Sequence, residues 1–319
     1  MRNYRTNMKI RLFLVTILLM VSVFLKAQQD PQFSQFMFTQ LSINPGFAGS
    51  DDKINVFALT RQQWVGFMDK GTPQISVFNA DAAFTLFKLP LGAGISIKND
   101  IIGFNNDTEI NISLAYKVNI GSGVLGIGIK GGIVNTDISG EWKYPDADGQ
   151  DDPAIPKNQK GMAMVDLGFG LFYKTNDLYL GIASTHLNEA EFDLQQGKPA
   201  LQRHYYVNAG YNMALSNPLL EFKPSVLVQS DGTYSQLSIN ALLEYNKKIW
   251  GGVSWRTDNA IIGVLGIELF NWVKIGYSYD FVTSDIMGYN SGSHEIMMGF
   301  SFDVKKEKTP EKYKSIRFL

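Results

Sequence analysis

The sequence predicts an all-β chain, a transmembrane antiparallel β-barrel of about 14 strands with an N-terminal periplasmic or plug segment. Three observations carry this. Between Asp107 and Val118 the chain alternates: Ile110, Ile112, Leu114, Tyr116 and Val118 fall on one side, and Asn111, Ser113, Ala115 and Lys117 on the other. That is the period-2 signature of a strand with one apolar and one polar face. The pattern recurs about fourteen times between residues 53 and 304, and its polar side repeatedly carries full charges. The connections then alternate between short and long. A soluble sandwich would turn its apolar faces inward, but too many strands carry large apolar residues and no helical pattern remains to cover them. A barrel closed in lipid, apolar outside and polar inside, satisfies the pattern.

Composition agrees. Hydrophobic residues make up 45% of the 319, with 21 Phe and 14 Tyr, which suits aromatic girdles at the two membrane interfaces. No run of roughly 20 apolar residues follows residue 25, so a helical membrane protein is excluded. A net charge of −1 gives no nucleic-acid footprint. The absence of cysteine excludes thiolate metal sites, a cysteine nucleophile and disulfides.

The elements follow in order. Arg2, Arg5, Lys9 and Arg11 form a basic region before the 14 apolar-rich residues Leu12 to Leu25, the layout of a secretory signal peptide over 1–27. Ala27–Gln28 is the expected cleavage point, although Leu25-Lys26-Ala27 departs from a small-x-small junction. A retained anchor helix is the other reading, but 14 residues are too few to span a bilayer. Residues 28–52 form the lead-in or plug. Phe33, Phe36, Met37 and Leu41 have one-face helical spacing before an Asn44-Pro45 break, and Phe33, Phe36, Met37, Asn44 and Pro45 are the candidate plug or partner contacts. This segment either packs on the barrel rim or enters the barrel.

The barrel itself spans 53–304, with strands expected at 53–64, 73–85, 91–101, 107–118, 123–134, 163–174, 177–185, 203–213, 220–229, 234–245, 248–257, 259–269, 272–281 and 293–304. Two are less regular: the second lacks a clean polar face, and Pro224 interrupts the ninth. The long connections include 135–162, 186–202 and 282–292. The alternate set is short, such as Thr175-Asn176, Asn246-Lys247 and Phe270-Asn271. Outer-membrane barrels have short periplasmic turns and longer external loops, which places the chain in the bacterial outer membrane with both termini periplasmic. Residues 305–319 form a basic periplasmic tail, with six Lys/Arg against two Glu.

Charges on the lipid face would cost about 2–4 kcal/mol each at the midplane. The strand charges are therefore expected inside: Arg61, Asp81, Lys98, Asp100, Glu109, Lys117, Lys130, Asp166, Lys174, Glu221, Lys223, Glu244, Arg256, Glu268, Lys274 and Asp280. Both signs occur in similar numbers, which suggests a packed or plugged interior. Among them Arg61, Asp81, Asp100, Arg256 and Asp280 are the candidate lumen charge network.

Taken in order, several motifs resemble the PorP/SprF family of the Bacteroidetes type IX secretion system and gliding motility apparatus. They are Gln29-Asp30-Pro31-Gln32-Phe33-Ser34-Gln35-Phe36-Met37, Asn44-Pro45-Gly46-Phe47-Ala48-Gly49, Arg61-Gln62-Gln63-Trp64-Val65-Gly66 and Asp100-Ile101-Ile102-Gly103. Trp250-Gly251-Gly252-Val253-Ser254-Trp255-Arg256, Gly276-Tyr277-Ser278-Tyr279-Asp280 and Gly292-Ser293-His294-Glu295 continue the series. The resemblance covers essentially the whole mature chain. It implies an outer-membrane barrel needed to secrete or display a cognate large surface protein, such as an adhesin. Its implied partners are outer-membrane lipid, the C-terminal domain of that exported protein and other secretion components in the periplasm. It implies neither catalysis nor a cofactor, and it does not identify the cargo.

Other chemistry is thinly signalled. His186, His204 and His294 are the three histidines. His186 opens a loop where a hydrolase could place a base, but no Gly-x-Ser-x-Gly motif accompanies it. His294 reads as a hydrogen-bonding residue at the rim. Asp146, Asp148, Asp151 and Asp152 cluster as weak calcium candidates, yet Lys157 stands where an EF-hand needs its terminal Glu. A plugged transporter for hydrophobic or small solutes is the alternative function. It would need an apolar internal pocket, whereas the expected inward faces are charged.

Overall fold

Alternation this regular leaves each strand one solution, with the apolar side outward and the polar side in. The computed structural model describes residues 30–51, 53–67, 71–138, 159–192 and 200–303. The signal segment 1–27, the tail 305–319 and the loop bearing Asp146, Asp148, Asp151 and Asp152 lie outside the described residues. The strands are β1 (Lys53–Gln62), β2 (Gln74–Leu86), β3 (Leu89–Ile102), β4 (Asn105–Ile120), β5 (Gly123–Ile138), β6 (Gln159–Lys174), β7 (Leu178–Thr185) and β8 (His204–Tyr211). They continue with β9 (Met213–Ala214), β10 (Leu220–Ser230), β11 (Ser235–Tyr245), β12 (Ile249–Arg256), β13 (Ala260–Leu269), β14 (Val273–Val282) and β15 (Ser293–Asp303).

Neighbours pair antiparallel in sequence order, and β1 pairs β15 from Lys53↔Asp303 to Gln62↔His294, closing the barrel. The two-residue β9 is a continuation of β8. Both pair β10, and the break between them falls opposite Lys223 and Pro224. Proline has no N–H to give the ladder, so the interruption expected in the strand of Pro224 falls instead on its neighbour. β10 is continuous, the eighth expected strand is split into β8 and β9, and the barrel has fourteen walls.

At one end the connections are tight. Phe87 and Lys88 (φ 51° and 66°), Asn246 and Lys247 (53° and 54°), and Phe270 and Asn271 (54° and 62°) all lie in the left-handed region. Positive φ at both central residues gives a turn whose twist matches that of the flanking strands. The other end carries the longer connections, including those between β5 and β6, β7 and β8, and β14 and β15. No helix among the described residues is long and apolar enough to cross a membrane; strands do the crossing.

The faces separate as expected. On β4, Ile110, Ile112, Leu114 and Tyr116 are exposed, while Glu109, Asn111, Ser113, Ala115 and Lys117 are buried. Trp272 stacks near Phe300 and Phe302 at ring separations of 6.0 and 5.7 Å, an aromatic patch at the short-turn end. On β2 the inward residues are Ile75, Val77, Asn79 and Asp81, half of them apolar. Their partner is residues 30–51, which enter the barrel instead of sitting on its rim. Phe33, Phe36 and Ile43 form one apolar cluster with Leu59, Ile75, Val77, Trp250, Ile262 and Met297. An apolar plug needs apolar wall opposite it, which is why β2 lacks a clean polar face.

Candidate functional site

The plug's backbone is broken into short turns: 3-10 turns at Phe36–Phe38 and Pro45–Phe47, and one α-turn at Gln40–Ile43. The one-face spacing of Phe33, Phe36, Met37 and Leu41 therefore does not build a continuous helix. Short turns leave backbone groups unpaired, and a buried unpaired group is costly. The barrel wall supplies partners along the whole descent.

At the long-loop end, Asp30 sits among Thr185, His186, His204 and Tyr206. Tyr206 Oη donates to Asp30 Oδ2 at 2.5 Å, and Thr185 Oγ1 donates to the same atom at 3.2 Å. His186 lies between two carboxylates, with Nδ1 2.8 Å from Asp166 and Nε2 3.1 Å from Asp30. Burial would lower this imidazole, but Asp30 and Asp166 outweigh it and push it up to about 9, so both nitrogens donate. Burial would raise the Asp30 carboxyl, but Lys98 and His186 outweigh it and hold it well below the usual carboxylate range. Lys130 reaches Glu109 at 3.1 Å and Asp166 at 3.3 Å, and Lys98 reaches Glu109 at 2.5 Å and Asp30 at 3.6 Å.

One turn further along the plug lies a second cluster. Arg61 Nη2 is 2.7 Å from Asp280 Oδ2, and its Nη1 is 3.5 Å from Glu295 Oε2. Arg256 Nη1 is 3.4 Å from the same Asp280 oxygen, while its Nη2 donates to the Phe33 carbonyl at 2.9 Å. The backbone N–H groups of Ser34 and Gln35 donate to the two Glu295 oxygens, each at 2.8 Å. Ser34 Oγ donates to Asp280 at 2.6 Å and accepts from Arg61 at 2.5 Å. Two cations and two anions, all essentially buried, thus grip one turn of the plug. Buried charges are tolerated when paired and hydrogen-bonded like this.

The chain then descends. Asn208 donates to Gln40, and Asn79 donates to Ser42 at 2.9 Å. Asn44 Nδ2 donates to the Leu171 carbonyl at 2.9 Å, and its Oδ1 accepts from Gly46 N at 2.9 Å. Pro45 and Gly46 lie flat on a glycine-lined wall. A Cβ on Gly128 would come within 2.3 Å of Gly46 N, and one on Gly126 within 2.1 Å of Gly46 O. These glycines are what allow backbone to touch backbone. Gly49 N donates to Asp81 at 2.8 Å, and Lys174 pairs with Asp51 just before β1 begins.

The candidate network of Arg61, Asp81, Asp100, Arg256 and Asp280 is therefore three places rather than one. Arg61, Arg256 and Asp280 share a cluster, Asp81 holds Gly49 towards the other end, and Asp100 faces a cavity of about 370 Å³ at the long-loop end. Of the candidate contacts, Phe33 and Phe36 are in the core, Asn44 and Pro45 lie against the wall, and Met37 is half-buried. His294 bonds Tyr277 Oη at 2.8 Å. Sequence reasoning missed Glu295, Asp30, His186 and His204 as lumen residues. For Glu295 the signal was present: Ile296 and Met298 are outward, so Glu295 must point in. The same holds for His204, since Tyr205 and Val207 on β8 are outward; Asp30 and His186 sit outside the strands, where alternation says nothing.

Asp30, His186 and His204 offer ligand atoms within 4.8 Å of one another, a geometry that could hold a metal. Their lone pairs are already engaged. His204 Nε2 accepts from Asp30 N at 3.0 Å while Nδ1 lies 2.9 Å from the Gln202 carbonyl, and His186 is doubly bonded to carboxylates. The arrangement fits a tie on the plug better than a metal centre.

Compared with known proteins, the chain matches the type IX secretion system membrane protein PorP/SprF family over residues 25–300, and it belongs to that family. A search among curated proteins finds no match. Among solved structures it is similar to the outer membrane protein Omp33 of Acinetobacter baumannii, with TM-score 0.45, 6% identity, and 79% of this chain and 99% of that one covered. A deltaS2S3 mutant of the monoaromatic hydrocarbon channel TodX gives TM-score 0.45 and 10% identity over 83% and 94%. A mutant Rh. blastica porin gives 0.37 and 10% over 78% and 99%. Likenesses this distant do not extend to what those proteins carry.

Proposed function

We propose that this member of the type IX secretion PorP/SprF family is a non-catalytic outer-membrane barrel that serves the secretion or surface attachment of one cognate large surface protein. The observation that supports it is the plug. A lumen filled by the chain's own residues, tied at both ends, suits a scaffold that recognises a client with its loops better than a conduit for solutes. Family membership over residues 25–300 supplies the secretion context.

In this reading the long-loop end faces outward and the short turns face the periplasm, following the loop asymmetry of outer-membrane barrels. Both ends of the barrel, Lys53 and Asp303, then open to the periplasm, where other secretion components would meet the basic tail. Asp30, by contrast, lies at the outward end, because the plug runs the length of the lumen before β1. Client recognition is assigned to the loops 135–162, 186–202 and 282–292, since long loops on a rigid scaffold are where binding concentrates.

Surface proteomics of a deletion strain tests this. Loss of one surface protein, with other secreted proteins unchanged, is the expected outcome, and shortening 143–158 should reproduce it while heat-modifiable gel mobility stays normal. An unchanged surface proteome would overturn the reading. Large, stable open-pore currents in planar bilayers would favour a plugged transporter instead.

A further inference from the structure

The cavity at the long-loop end is lined by more carboxylates than its cations can balance. Asp30, Glu109 and Asp166 close on Lys98, Lys130 and His186 through the pairs described above. Asp100 and Asp107 remain. Among the described residues neither has a cationic group within 4 Å, and Oδ1 of each is buried without a hydrogen-bond partner. They are direct cross-strand partners on β3 and β4. Direct partners on one face have Cβ atoms about 4.5–5.5 Å apart, and like charges so placed repel.

The same row continues onto β5. Thr136 is the cross-strand partner of Asp107, is 6% exposed, lines the same cavity, and its Oγ1 also lacks a partner. The Thr136 hydroxyl lies against the Asp107 carboxyl, so the three side chains turn their oxygens towards one another and the cavity. No cation among the described residues contacts the two carboxylates; Lys98 acts on them only from a distance and is already paired with Glu109 and Asp30. The row offers only oxygen ligands, with room for water. That is the donor set of a hard divalent cation, and a flexible ligand number with several waters suits the calcium class best.

We propose that Asp100, Asp107 and Thr136 form a calcium-class divalent-cation site in this cavity. The cation would neutralise the carboxylate pair, bridge β3, β4 and β5 next to the plug's outer tie, and stiffen the wall that carries the β5–β6 loop. This site is separate from the acidic cluster Asp146, Asp148, Asp151 and Asp152, and it does not depend on the identity of any client.

The test is calorimetric titration of calcium chloride into the full chain, folded in detergent and stripped with chelator. Saturable 1:1 binding is expected, with a dissociation constant of about 0.1–1 mM, the range of weak extracellular sites. Asp100→Asn combined with Asp107→Asn should weaken it more than tenfold. Asn at Asp146, Asp148, Asp151 and Asp152 together should leave it intact. Should the first variant fail to fold, Thr136→Val is read in its place and should weaken binding severalfold. No binding by the unaltered chain would overturn the proposal, meaning that the two carboxyls share a proton. Loss of binding only in the loop variant, or an equal response to sodium chloride at matched ionic strength, would overturn it too.

Discussion

Two ties hold the outer part of the plug, and they are built from different chemistry. Around Ser34 the wall presents Arg61, Arg256, Asp280 and Glu295: guanidinium groups that stay charged at any ordinary pH, balanced one for one by carboxylates and reinforced by two backbone N–H donors. Around Asp30 the central group is an imidazole, and its stability depends on proton supply. The first is permanent and the second conditional. Since both act on the same few residues of plug, the difference predicts a segment that frays from Asp30 first while Ser34 stays gripped.

The largest expected effect comes from the permanent tie. Arg61→Met leaves Glu295 without its guanidinium and Asp280 with Arg256 alone. Removing one partner of a buried pair typically costs about 3–5 kcal/mol, because the remaining charge stays buried and unpaired. The temperature at which the folded barrel shifts to unfolded mobility on a gel should fall sharply. A charged maleimide should also begin to label Met37→Cys, a readout that the cysteine-free chain makes clean. An unchanged transition temperature would show that the strand ladder, and not the plug, bears the stability.

The conditional tie should give a smaller, pH-dependent effect. His186 lies at about 9 against an ordinary 6.5. Its contribution is complete below pH 6.5 and is lost as pH rises through 9. Asp30 lies below its ordinary 3.8, so its contribution is complete above pH 3.8 and is lost only as pH falls through the depressed value. Asp166, Lys98, Lys130, Glu109, His204 and Tyr206 surround the pair, and the lysines keep charge on the site after the imidazole is neutral. Labelling of Pro31→Cys should therefore rise between pH 6.5 and 9, while labelling of Met37→Cys stays flat. His186→Asn should abolish the rise. Parallel profiles at the two positions would show that the ties act as one.

The walls of this molecule were legible in the sequence because each strand repeats a local rule. Ile112 and Ser113 differ in exposure for the same reason as Ile182 and Ala183, and the tight turns at Asn246-Lys247 and Phe270-Asn271 fall where the alternation stops. The interior was less legible because its rule is long-range. Ile75 and Val77 look like misplaced lipid-facing residues until Phe33 and Phe36 are set against them. Asp30 meets His186 across 156 positions, and nothing in local periodicity records such a meeting. The motifs containing Arg61, Asp280 and Glu295 each looked weak alone; the structure gathers them around Ser34.

The smallest expected effect lies at the far end of the plug, and it sharpens the comparison from below. Lys174 and Asp51 pair where the plug turns into β1, but their side chains are 36% and 38% exposed. Solvent screens such a pair, and exposed ion pairs contribute about 0–1 kcal/mol. Lys174→Ala should therefore leave the gel transition within a few degrees of the unaltered chain and leave both cysteine positions unlabelled. The covalent link into β1 also holds Asp51 in place whether or not the pair forms, so the lost attraction has little motion to restrain. Addition of salt should reduce the Lys174 effect further without touching that of Arg61. A Lys174→Ala loss as large as that of Arg61→Met would mean that the plug is anchored at its point of entry and that the buried clusters merely fill space.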